Sequence, residues 1–263
     1  MTRFDASAWI GQWPFTASVS TGLTDLVGGL GELGLSGAAV SPLAAVLGPE
    51  PMTANRALIE DIYSLPGGFA VRVVPILDPS LPGWERDLDD LLSRHAASIG
   101  AFRIVPNYHG FAVDGAESIA VARAVTNAGL GLCVQIRMLD ERAHHPLMKV
   151  PGVPLDGVVR LSDAVPDARI MAGGIFQPEL AMIRGAPRIS AELSSIESGD
   201  TVANAAAVIG IDRLMLGTHV PVYDPAPAVA KVAVLDDETA VRITQSNATT
   251  FFHSSSIRGE ITS

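Results

Sequence analysis

The chain has 263 residues, of which 48% are hydrophobic and only 5% aromatic, with 28 acidic against 18 basic side chains and a formal net charge of −10. That length suits one sizeable core, and an acidic chain without a basic stripe argues against a nucleic-acid partner. Cys133 is the single cysteine, which excludes an intramolecular disulfide and any multi-cysteine metal cluster. Without a long apolar run or a charged-then-apolar leader, the expectation is a cytoplasmic protein with no membrane partner.

In chain order, Phe4–Ile10 reads as a strand that opens into an irregular segment, Gly11–Ser20, and a helix is expected to start after Ser20 or Thr21. A second strand, Gly37–Val40, ends at Ser41-Pro42, and the helix from about Met52 to Leu65 turns Leu58, Ile59 and Ile62 inward. The third strand, Ala70–Ile76, precedes an amphipathic helix at Trp84–Ala97, with Leu88, Leu91 and Leu92 facing the core. The fourth, Ala101–Val105, runs into Pro106-Asn107-Tyr108-His109, and a helix from Glu117 to Ala128 brings the chain back. The fifth, Gly131–Ile136, holds Cys133 as a small buried hydrophobe and opens into a polar loop with Asp140, Arg142, His144 and His145. Leu155–Asp163 is a short helix, and a sixth strand, Ala168–Met171, leads to Gly173-Gly174. The seventh, Arg188–Leu193, carries Glu192 near its end, and the helix near Thr201–Ile209 leads to the eighth, Arg213–Leu216. Ala226–Leu235 and Asp237–Thr250 are further helices.

Eight apolar strands separated by helical spacers, rich in Ala, Val, Leu and Ile, predict an α/β chain folded as a (β/α)8 barrel. The expected organisation is a single domain over 1–252 and a polar, frayed tail over 253–263, where the sequence is Ser-rich and loses its apolar period.

Three stretches carry a family resemblance: FDASAWIG at the first strand, RLMLGTHVP at the eighth, and ITQSNATTFF near the end. In order and spacing they resemble the amidohydrolase-related TIM-barrel proteins, the branch that includes metal-dependent decarboxylases and lactone hydrolases. The resemblance implies a hydrolase or lyase acting on a small carboxylated or carbonyl-containing metabolite. It also implies metal ligands at positions that here hold Ser7 and Trp9 on the first strand, Ala172 or Gly173 on the sixth, and His219 on the eighth. A serine hydroxyl and an indole do not replace neutral imidazoles. Gln135 and Arg137 stand where the fifth strand would supply another histidine. The expectation is therefore a barrel without the usual metal site, either metal-free or with a rebuilt nonstandard site, and without a cofactor.

A different polar set can converge, because barrel strands point their C-terminal ends toward one mouth. His219 is the candidate proton carrier, with Glu192 or Asp224 as its acidic partner. Arg137 is the candidate anchor for a small anionic ligand. Gln135, Asn107, His109, Tyr108 and Trp13 are further candidates for the ligand pocket. Each has a plainer reading. His219 can simply hold its loop, His109 can belong to a turn, and Arg137 and Glu192 can form a structural ion pair. Asp5 can tie its strand, and Trp9 can fill the space of a missing ion. Trp13 and Phe15 can merely cover the mouth, and His144-His145 can lie on a surface loop.

No phosphate loop, dinucleotide fingerprint, HExxH pair or GxSxG elbow occurs. Two functions remain open at this point: an enzyme of the amidohydrolase-related type, or a barrel that has lost catalysis and binds a metabolite or a protein. A homodimer is compatible with either.

Overall fold

The eight expected strands are all present in the computed structural model, which describes residues 3–16, 22–147 and 149–252. They are β1 (Phe4–Ile10), β2 (Gly37–Pro42), β3 (Ala70–Val73), β4 (Ala101–Ile104), β5 (Gly131–Gln135), β6 (Ile170–Gly173), β7 (Ile189–Glu192) and β8 (Leu214–Met215). All ladder pairings are parallel and sequential, in a β1-β2-β3 group and a β4-to-β8 group. Two seams close the ring. Bridges from Val73 to Ile99 and from Ile76 to Arg103 join the third and fourth strand segments. At the other seam the amides of Ala6, Trp9 and His219 donate to the carbonyls of Leu216, Val220 and Ser7 at 2.7, 2.8 and 2.8 Å. The result is a (β/α)8 barrel, as the apolar runs predict.

Helices at Leu23–Glu32, Met52–Tyr63, Trp84–His95, Ala116–Asn127, Leu155–Ala164, Thr201–Ile209 and Pro225–Ala233 alternate with the strands. The connection after β6 is instead a 3-10 segment, Gln177–Ile183. Several boundaries differ from the sequence expectation. β3 stops at Val73 because Pro75 has no amide for the ladder. β6 runs two residues later than expected, since Leu132 pairs with Ile170 and Gln135 with Gly173. The Pro106–His109 strand exit is one helical turn, closed by Gly110 at φ 76°. Asp237–Thr250 is broken into Asp237–Val241, a π-helical stretch at Arg242–Ser246, and Asn247–Phe252. The helix start at Ser20 or Thr21 and the tail over 253–263 lie outside the described residues.

Inside the ring the side chains form three layers. The foot is apolar: Phe4, Ala6, Ala39, Val74, Ala101, Cys133, Met171 and Met215 meet Phe251 and Phe252 of the last helix. Small residues make room for these rings. A Cβ on Gly131 would lie 2.7 Å from the Phe251 ring, and one on Gly37 2.6 Å from the Phe4 ring. The middle layer is polar and the top is an aromatic cap, with Trp9, Trp13, Leu43, Ile76, Val105 and Met138 in one cluster. A separate, larger apolar core fills the space between strands and helices.

Because Phe251 is 4% exposed and meets Phe252 edge to face with ring centres 4.9 Å apart, its removal opens a void under the barrel. Phe251→Ala should lower unfolding free energy by about 3–5 kcal/mol, read from chemical denaturation. A loss under about 1 kcal/mol would show that the last helix does not plug the foot.

Candidate functional site

The polar layer centres on Arg103, a β4 residue with no exposed surface. Its Nη1 donates to Gln135 Oε1 at 3.1 Å, its Nη2 to Ser7 Oγ at 3.4 Å, and its guanidinium carbon lies 4.1 Å from the Trp9 ring centre. Burial lowers its pKa, opposed by the charges of Glu192 and Asp5 and by the Cys133 thiol. Burial likewise pushes Cys133 up to about 11, so it stays a neutral thiol. The side chains around Arg103 thus face a fixed positive charge in a low-dielectric interior.

His219 sits directly above this cation. Its Nδ1 accepts from Trp9 Nε1 at 3.1 Å, and an Nε2 proton points to the Met138 carbonyl at 2.9 Å. That pairing fits the neutral tautomer with the proton on Nε2. Burial, with Arg103 adding to it, takes the pKa down to about 3. The backbone adopts φ 58°, the left-handed region that non-glycine residues rarely occupy, and the His219 carbonyl accepts from Val222 and Tyr223 at 3.0 and 3.1 Å. In this arrangement both ring nitrogens are taken by protein groups, and no ring atom is open to a ligand.

Two buried carboxylates lead outward from the same centre. Asp5 accepts from the amides of Ser7 and Thr218 at 2.9 and 3.0 Å and from the Thr218 hydroxyl. Burial outweighs those bonds and raises Asp5 to about 6. Glu192 accepts from the amides of Gly174 and Ser194 at 2.7 Å each and from Ser194 Oγ at 2.8 Å. Gly217 is required beside it, since a Cβ there would lie 2.3 Å from Glu192 Oε2. Ser194 Oγ lies 3.5 Å from Ser195 Oγ, and Ser195 and Tyr223 stand on the wall of the same cavity. Burial raises the Tyr223 pKa, so that hydroxyl keeps its proton.

Ser194, Ser195, Thr218 and Tyr223 line a cavity of about 570 Å³ at the mouth, together with Phe176, Asp140, Arg142, Glu197 and Asp224. Its wall comes from the segments that follow β5, β6, β7 and β8. Arg142 is already paired with Asp140 through Nη2 at 2.5 Å, and this holds Asp140 down at about 2. Glu197 and Asp224 leave the wall with an excess of negative charge. Lys231, whose Nζ donates to the Leu193 and Ser194 carbonyls at 2.8 and 3.4 Å, lies behind it.

The residues singled out from the sequence fall into separate groups. Glu192 reaches the cavity through Ser194, and Asp224 lies on its rim, where it also accepts from the Ala226 amide at 3.0 Å. Arg137 is not at the wall. Its Nη1 and Nη2 each bond Glu179 at 2.7 Å, its Nη1 also bonds the Gly174 carbonyl, and it stacks on Phe176 at 4.0 Å. The partner is Glu179, not Glu192. Gln135 is spent between Arg103 and the Arg137 carbonyl. Asn107 ties the carbonyls of Ile136 and Pro151, and His109 is held by the Ala45 carbonyl, with Asp78 3.6 Å away. Burial lowers the His109 pKa. Trp13 and Tyr108, with ring centres 5.8 Å apart, wall a second, enclosed cavity of about 80 Å³ that also touches His144 and His145. Arg103, Ser194, Ser195 and Thr218 were not singled out by sequence reasoning. The signal for Arg103 was present, because an arginine inside the apolar run Ala101–Val105 must find partners within the barrel.

The residues present do not fit a divalent ion at the positions that the family resemblance indicates. Ser7 Oγ faces the Arg103 guanidinium, Trp9 presents an N–H donor to His219, and the space beside Gly173 is taken by Gln135, 2.7 Å from where a Cβ would stand. Among the described residues no group of three His, Cys, Asp or Glu side chains is placed to hold a metal.

No family model and no curated protein matches the sequence. Solved structures do match the fold. A 5-carboxyvanillate decarboxylase from Sphingomonas paucimobilis superposes with a TM-score of 0.74 at 15% identity, over 95% of this chain and 98% of that one. A 2,6-dihydroxybenzoate decarboxylase from Rhizobium gives 0.73 at 13% identity, over 95% and 98%. A dihydroxybenzoic acid decarboxylase from Polaromonas, solved with bound manganese and 2-nitroresorcinol, gives 0.71 at 14%, over 95% and 96%. At such identities the likeness is one of fold: the chain shares the barrel of these decarboxylases.

The two buried titrating groups act in opposite senses on stability. Asp5, raised from 3.8 to about 6, stabilises fully below pH 4 and loses that contribution as pH rises through 6, on the order of 3 kcal/mol. His219, lowered from 6.5 to about 3, stabilises above 6.5 and loses that contribution as pH falls toward 3. Asp5→Asn should therefore gain stability relative to wild type between pH 4 and 7, and His219→Gln should gain it as pH falls from 6.5. Urea denaturation at pH 4, 5, 6 and 7 reads both. Parallel curves for wild type and Asp5→Asn would contradict a raised Asp5.

Proposed function

We propose that the chain is a hydrolase or lyase acting on a small carbonyl-containing metabolite in the mouth cavity, by proton transfer at Ser194 and Glu192 rather than through a metal ion. The observation that supports it is the 2.8 Å bond from Ser194 Oγ, on the cavity wall, to the buried Glu192 carboxylate. A carboxylate that takes the serine proton makes Oγ able to attack a carbonyl or to accept a proton from a bound compound. Tyr223 and Ser195 supply hydroxyl donors beside it for a carbonyl oxygen. The acidic wall, with Arg142 already neutralised by Asp140, favours a neutral carbonyl compound over a free carboxylate. Carboxylated aromatics, named for the solved decarboxylases, are the comparison class.

On this reading His219 and Arg137 hold the mouth in shape and neither carries a proton nor anchors an anion. Residues 1–252 act as one unit. A second reading, a barrel that binds a metabolite without turnover, is favoured by the same burial of His219 and pairing of Arg137.

A panel of lactones, esters, amides and carboxylated aromatics, assayed with chelator-treated protein, tests the proposal. Turnover should survive chelation, and Ser194→Ala should lower kcat by about 10²-fold or more while ligand affinity changes less than about threefold. Glu192→Gln should behave alike. Turnover that requires added metal would overturn the reading. Ligand binding without turnover, unchanged in Ser194→Ala, would establish the binding module instead.

A further inference from the structure

Three consecutive strands begin directly after an arginine: Arg169 precedes Ile170 of β6, Arg188 precedes Ile189 of β7, and Arg213 precedes Leu214 of β8. Ile170 pairs with Ile189, so Arg169 and Arg188 stand side by side at a strand spacing of about 4.8 Å. All three line one cavity of about 410 Å³ at the foot of the barrel, joined by Arg242 from the π-helical stretch. The foot lies at the N-terminal ends of the strands, whereas the mouth cavity lies at their C-terminal ends.

The charge there is not balanced. Asp212 is the one carboxylate lining the cavity, and it is paired with Arg242 at 2.9 Å. Arg213 is used structurally, its Nε, Nη1 and Nη2 donating to the carbonyls of Ile189, Arg184 and Ile183. Arg169 donates Nη2 to the Gly129 carbonyl, but its buried Nε has no partner. Burial lowers its pKa and the Arg188 charge adds to that. Among the described residues no carboxylate pairs with Arg169, Arg188 or Arg213, although the chain as a whole is acidic. Packing like charges together costs free energy unless an anion joins them, and guanidinium forks match the oxygens of a phosphate group.

We propose that this foot cavity is a binding site for a phosphate group, with Arg169 and Arg188 as its primary contacts and Ser190, Ser246 and Thr250 on the wall. The edges of the cavity are held: Arg213 locks the foot to the loop before β7, the Arg242–Asp212 pair closes one edge, and Arg169 is tied to the Gly129 carbonyl. The cavity exceeds the size of an inorganic ion and accommodates a small phosphorylated compound. The site is independent of the mouth and of the chemistry proposed there.

Isothermal titration with inorganic phosphate and with glycerol phosphate, at constant ionic strength in chloride, tests it on the full chain. Saturable binding is expected, weakened about tenfold or more by Arg188→Gln and by Arg169→Gln. Arg188 is exposed, so its variant keeps the fold even where Arg169→Gln does not. Tighter binding of glycerol phosphate would assign the group to an organic phosphate, and equal binding to the free ion. No heat beyond the chloride control, or an affinity unchanged in Arg188→Gln, would overturn the site.

Discussion

The interior of this barrel depends on one buried cation. Arg103 is fully enclosed and has no carboxylate in direct contact, yet five side chains are arranged around it: Trp9 under its face, Ser7 and Gln135 at its forks, and Glu192 and Asp5 within reach of its field. A guanidinium removed from water costs several kcal/mol, recovered only if its hydrogens and its charge find partners. The polar layer gives Nη1 and Nη2 one acceptor each and sets two carboxylates in the field of the charge, while the buried Nε has no partner. It also fixes what stands above it: Trp9, held on the guanidinium, gives its N–H to His219, and His219 in turn sets the backbone that carries Thr218 and Tyr223 to the mouth.

This chain of contacts accounts for the lack of fit to a divalent ion better than any single substitution does. An imidazole pair on β1 would need a cation between them, and here the cation is covalently part of β4. The exchange has a physical cost in flexibility, since a guanidinium cannot leave, exchange or change its coordination number as a bound metal ion does. The proposed chemistry lies at the edge of the polar layer, where Glu192 and Asp5 each meet a hydroxyl on the cavity wall.

Most of the fold was legible in the sequence, because strands buried on both faces are written as apolar runs and need no partner to be recognised. The boundaries were harder. The extent of β6 is set by cross-strand register, which a single run does not contain. The site was legible only in part. Glu192 and Asp224 were read from their strand-end and loop positions; Asp224 lies on the rim of the mouth cavity, and Glu192 is buried behind its wall, bonded to Ser194. Arg137 was read from its strand-end position and its guanidinium fork, and its pairing with Glu179 depends on a contact 42 residues away in the chain. Ser194 and Ser195 carry no sequence signal of their own. Their importance comes from Glu192 two positions earlier and from Tyr223, brought near by the closure of β7 on β8.

The mouth cavity is one-sided. Its wall is drawn from the segments after β5 to β8, while the mouth above β1 to β4 is sealed by the packed aromatic cap of Trp9, Trp13 and their neighbours. The two halves are nevertheless tied together: Met138 and Leu139 after β5 and Val222 after β8 pack into the cap itself, and His219 bridges Trp9 to the Met138 carbonyl. A change in the loops that wall the open half is therefore transmitted to the sealed half through shared packing, so the two sides of the rim are free to vary only where their loops leave these contacts untouched.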